Sequence, residues 1–76
     1  MIFPMSQNEI EDWCKNNDVE MTFYERQGET YVMKFVRLSK GDMWVEHEYS
    51  PDIRQVVTTQ AIHCLENKMR ARVKEL

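Results

Sequence analysis

Residues 18–49 read DVEMTFYERQGETYVMKFVRLSKGDMWVEHEY. From Val19 the side chains alternate, with Val19, Met21 and Phe23 set against Glu20, Thr22 and Tyr24, the period of two expected of a half-buried strand. Two more such runs follow, over about residues 30–38 and 43–49. Arg26-Gln27-Gly28 and Ser39-Lys40-Gly41 each place glycine third, as in a three-residue hairpin loop closed by a left-handed glycine. Loops of that length predict a register in which Val19, Phe35 and Val45 are neighbours on a core face, followed by Met21, Met33 and His47 and then Phe23, Tyr31 and Tyr49. The opposite face then carries Glu20, Lys34 and Glu46 as an alternating charge ladder, with Thr22, Val32 and Glu48 beside it and Val36 opposite Trp44.

Helices flank this meander. Ser6 with Glu9 three residues later is a capping box, and Met5 before the cap can staple onto Ile10, so a helix starts near Gln7. Its apolar residues Ile10, Trp13 and Cys14 share a face, and Asn16-Asn17 suits its end. Ser50-Pro51 opens a second helix, and nothing interrupts helical propensity from Asp52 to Leu76. A helix of that length, roughly 37 Å, outruns a strand of about 20 Å, so its last turns are expected to project past the sheet. It carries one apolar stripe of Ile53, Val56, Val57, Ala61 and Cys64 and a second, rotated one of Ile62, Leu65, Met69, Val73 and Leu76.

The expected fold is therefore α+β, in the order α-β-β-β-α: a three-stranded antiparallel meander with both helices on one face and a long C-terminal helix, as a single domain over residues 1–76. That order and facing are similar, as topology and over nearly the whole chain, to the double-stranded RNA-binding domain. In that family, lysines opening the second helix grip RNA phosphates, and the first hairpin loop carries a Gly-Pro-x-His-type element. The corresponding segments here read Ser50-Pro51-Asp52-Ile53-Arg54-Gln55 and Arg26-Gln27-Gly28-Glu29, with one base in the first and neither proline nor histidine in the second. The resemblance thus implies the topology and carries no RNA-binding residue over.

A chain of 76 residues has room for one core, and its large aromatic and methionine side chains supply apolar area for it. No apolar run reaches the roughly 20 residues of a membrane span, and the first residues lack the basic flank of a signal peptide, so a cytoplasmic protein is expected. Cys14 and Cys64 both fall on expected apolar faces, where free thiols act as small hydrophobes. The net charge of -3 is unevenly placed. Residues 1–60 hold eleven acids and six bases, whereas 61–76 hold Glu66 and Glu75 against Lys68, Arg70, Arg72 and Lys74.

Motifs for catalysis, cofactors or metals do not emerge. His47 is expected on the core face; His63 and Cys64 point about 100° apart on a helix, poorly placed to share a metal. Glu46 and Glu48 face the same way, but on an open sheet without a concave site. The sequence points to a non-enzymatic protein-interaction module, a regulator, adaptor or inhibitor without cofactor, catalytic residue or metal. Ile62, Leu65, Met69, Val73 and Leu76 form a heptad-like seam for a homodimer. Trp44, Val36, Glu46 and Glu48, or Glu9 and Asp12 on the first helix, are the expected contacts for another protein, the acids favouring a basic, nucleic-acid-handling one. By analogy alone, such chains resemble accessory proteins of phages and mobile elements. The rival reading is direct nucleic-acid binding through the basic C-terminal helix, against which the acids of the first helix and hairpin loops count.

Overall fold

The computed structural model describes residues 3–75, and the side chains of residues 3–73. The order is α1 (Gln7–Asn16), β1 (Glu20–Gln27), β2 (Val32–Lys40), β3 (Met43–Tyr49), a short 3-10 turn (Pro51–Ile53) and α2 (Arg54–Glu75). The strands form one antiparallel sheet in the order β1-β2-β3, so the expected α+β meander with a long last helix is the fold observed.

The α1 cap is built as the sequence requires. The Glu9 amide donates to Ser6 Oγ at 3.2 Å and the Ser6 amide to Glu9 Oε1 at 3.0 Å, which satisfies donors that a helix start would otherwise leave open. Met5 and Ile10 on either side of the cap are both buried. The other end is a Schellman closure: Asp18 sits at φ 58°, its amide reaches the Lys15 carbonyl, and the Val19 amide donates to the Cys14 carbonyl at 2.9 Å. That closure turns the chain directly into β1.

Both hairpins differ from the expected loops, and the difference decides which side chains meet. β1 and β2 pair up to Gln27 with Val32, around a loop of residues 28–31 in which the Gly28 amide donates to the Tyr31 carbonyl at 2.9 Å. A Cβ on Gly28 would lie 2.7 Å from that carbonyl oxygen, so the glycine permits the close approach. β2 and β3 pair up to Lys40 with Met43, leaving only Gly41-Asp42 between them, with Gly41 at φ 60°. A tight loop with glycine first suits the twist of the strands better than the three-residue loop expected. Relative to that expectation each β2 pairing moves by an odd number of residues, so β1 and β3 keep their facing while β2 turns over.

The core consequently takes Val36 and Leu38 from β2, both 0 % exposed, instead of Met33 and Phe35. Val36 is therefore no part of an exposed surface beside Trp44; its pairing partners are Phe23 and His47, and it lies beneath the helices. Lys34 also leaves the expected ladder with Glu46. It lies at the rim of the core side, 3.6 Å from Glu25.

Val19 and Val45 complete the sheet side of the core, and Met5, Ile10, Cys14, Val57, Ala61, Ile62 and Leu65 the helical side. Thr58 and Thr59 are buried without loss, because their hydroxyls donate to the Arg54 and Gln55 carbonyls at 2.7 and 2.8 Å. Thr59 Oγ1 also accepts from the Met5 amide at 3.0 Å and so straps the N-terminal segment onto α2. One arc of α2, running between its two expected stripes, meets both the sheet and α1. Ile62 and Leu65 are for that reason wholly inside the chain's own core, not free for a second copy, while Ile53 and Cys64 are exposed. Of the remaining seam residues, Met69 packs partly against the core, Val73 is exposed and Leu76 lies outside the described residues. Residues 70–73 are exposed, yet Arg72 still bonds Asp42 in the β2–β3 turn, so α2 runs alongside the hairpin as far as that residue.

Candidate functional site on the open face of the sheet

With both helices on one side, the other side of the sheet faces solvent. Strand alternation presents there Glu20, Thr22, Tyr24 and Arg26 from β1, Met33, Phe35, Arg37 and Ser39 from β2, and Trp44, Glu46 and Glu48 from β3. In register, one row is Tyr24, Phe35 and Glu48, the next Thr22, Arg37 and Glu46, and the last Glu20, Ser39 and Trp44.

These side chains are organised by one another. The Tyr24 and Phe35 rings stack at 5.2 Å and 18°, and the Arg26 guanidinium lies 5.2 Å from the Phe35 centroid and 5.9 Å from that of Tyr24. Arg37 covers Trp44 at 4.4 Å and reaches Glu46 at 3.8 Å. A guanidinium above an aromatic ring gains from the ring quadrupole, about 0.5–1 kcal/mol at exposed sites. The Glu46 carboxylate, by its hold on the phenolic proton, together with desolvation and its negative charge, raises the Tyr24 pKa above its ordinary value. The result is two aromatic-arginine units joined through Glu46, with Trp44 still 48 % exposed.

Beside Trp44 the face turns into a shallow groove of about 300 Å³ lined by Asp42, Met43, Lys68, Ala71 and Arg72. Lys68 Nζ donates to the Trp44 carbonyl at 3.1 Å, and Arg72 bonds Asp42 at 2.5 Å, tying the hairpin to α2. The guanidinium beside Asp42 holds its carboxyl below the usual carboxylate range.

Of the residues expected to contact a partner, Trp44, Glu46 and Glu48 thus come together, whereas Glu9 and Asp12 lie on α1, on the helical side. Glu9 is committed to its cap, where the Ser6 amide and hydroxyl lower its pKa. Sequence reasoning missed Tyr24, Phe35, Arg26 and Arg37 as a group; the signal for them was the Gly41-Asp42 dipeptide read as a two-residue turn. The acids near Trp44 are answered by Arg37 and Arg72, so the surroundings of the indole are of mixed charge and not simply acidic.

Elsewhere, His47 is half-buried on the core side of β3, Cys14 is buried with its thiol pKa raised by desolvation, and Cys64 is exposed. No group of three His, Cys, Asp or Glu among the described residues is placed to hold a metal ion. No helix among them is long and apolar enough to cross a membrane. Comparison with protein-family models, with curated proteins and with solved structures finds no match for this chain.

Proposed function

We propose that the chain is a non-enzymatic protein-interaction module, a cytoplasmic regulator, adaptor or inhibitor, and that the open face of the sheet is its binding surface. The observation that carries this reading is the clustering of Tyr24, Phe35 and Trp44 with Arg26 and Arg37 on a face the fold leaves uncovered. Tyr, Trp and Arg are the residue types enriched where binding energy concentrates in protein interfaces, and Phe and Met are enriched with them. Here the arginines and rings hold each other in place, which lowers the entropy lost when a partner orders them. The seam on α2 is not part of this proposal, since Ile62 and Leu65 are spent on the chain's own core.

Stacked rings on an open sheet could also receive single-stranded nucleic acid, a reading favoured by the Tyr24–Phe35 stack. Glu20, Glu46 and Glu48 on the same face oppose it, because nothing there gives the net positive field that phosphates need. The experiment that separates the two is site-specific photo-crosslinking from Tyr24 in cells, paired with a filter-binding titration of oligonucleotides at two salt concentrations. A discrete protein adduct that Trp44→Ala abolishes and Val73→Ser leaves intact supports the proposal, with a loss of about 2 kcal/mol or more expected for an anchoring tryptophan. Saturable, salt-sensitive oligonucleotide binding lost in Trp44→Ala would replace it.

A further inference from the structure

The two edges of the sheet are not alike. β3 is partly closed by the chain itself, because Lys68 occupies the Trp44 carbonyl. Its outward row holds Glu46 and Glu48 with no cation to answer them in a symmetric pair. β1 bonds β2 alone and runs eight residues without proline, glycine or lysine, in unbroken register with its neighbour. Met21, Thr22, Phe23 and Tyr24 along its middle are uncharged, and Met21 and Phe23 are only half-covered. Natural sheets blunt exposed edges with lysine, proline, bulges or covering elements. β3 has such a device in Lys68; in the middle of β1 the Arg54 guanidinium covers the Phe23 ring from the helical side, 3.9 Å from its centroid, and no side chain among the described residues bonds the backbone of residues 21–24 as Lys68 bonds that of Trp44.

We propose that β1 is a strand-addition site whose occupant is β1 of a second copy of this chain, antiparallel, with Phe23 on the two-fold axis. Two-fold symmetry sets residue i against j and j against i. A continuous sheet further requires facing residues to share a side, which restricts the possible registers. With Phe23 on the axis, Glu20 of each copy lies opposite Arg26 of the other on the outward face, and Thr22 lies opposite Tyr24. On the inward face Phe23 meets Phe23. Opposite charges and aromatic pairs directly across an antiparallel pair are the favourable combinations, and like charges the unfavourable one. Met21 lies opposite Glu25, whose carboxylate is held by Lys34 of its own copy at 3.6 Å, so the self-complementarity rests on the Glu20–Arg26 and Thr22–Tyr24 pairs of the outward face and on Phe23. The two sheets become one, and the two Tyr24–Phe35 stacks flank the axis on a single enlarged face. This pairing does not depend on the binding function proposed above.

The test is light scattering on the full chain over a concentration series, for the wild type, Glu20→Arg, Arg26→Glu and the double variant E20R/R26E. Both positions are exposed, so the monomer fold is expected to survive each change. The wild type is expected to be a dimer that dissociates on dilution. Each single variant puts like charges across both symmetric pairs and weakens the dimer about tenfold, and the double variant restores it. Amide exchange of the wild type, which needs no substitution, should slow along β1 and not along β3 as concentration rises. A wild type that is monomeric at every concentration, a dimer indifferent to the single swaps, or protection confined to β3 or α2 overturns the proposal.

Discussion

Asp18 holds a left-handed backbone at φ 58° so that the Val19 amide can close α1 and start β1. A side chain in that region costs roughly 1–2 kcal/mol relative to glycine, less for Asp and Asn, whose short polar side chains bond locally. Asp18→Gly is therefore expected to raise stability by about 0.5–1 kcal/mol, visible as a higher midpoint in urea unfolding at unchanged slope. Gly28 is the converse case, since a Cβ there would meet the Tyr31 carbonyl oxygen. Single positions of this kind set the exits from elements, and through them the register that brings Phe35, Arg37 and Trp44 to one surface.

At the scale of elements, the α1 cap makes stability depend on pH in a defined direction. The Glu9 carboxyl is held below its ordinary pKa by the Ser6 amide and hydroxyl. A carboxylate depressed in the folded state contributes stability that is fully present above its unfolded pKa and lost as pH falls through the folded value. Wild type should thus lose the contribution of this cap in acid, below the usual carboxylate range, and Ser6→Ala should show a shallower acid dependence there in thermal unfolding. The cap, the order of elements and the length of α2 were legible because each rests on a local signal: a Ser-x-x-Glu pair, a change of period, an unbroken helical run. The facing of β2 was not. Its outer residues Met33 and Phe35 are as apolar as its inner Val36 and Leu38, so alternation alone does not say which set is buried, and the decision passed to loop length. Counting Gly41 as the third residue of a loop, when it is the first of a two-residue turn, inverted the strand and hid the candidate site. The α2 seam was misread for a related reason, because the helix buries an arc between two stripes that a helical wheel treats separately.

Across the whole molecule, one asymmetry organises the account: α1, α2 and the N-terminal strap all lie on one side of a thin sheet, and the side they leave carries the aromatic-arginine units. That surface exists only if β2 faces as described, so a comparison of Leu38→Ala with Phe35→Ala by reversible unfolding tests the account most directly. Leu38 is wholly buried, and its truncation is expected to cost about 2–5 kcal/mol. Phe35 touches Tyr24 and Arg26 at a half-exposed position, and its loss should cost about 1 kcal/mol. The reverse order, with Phe35→Ala the more damaging, would put Phe35 in the core and remove the proposed binding surface.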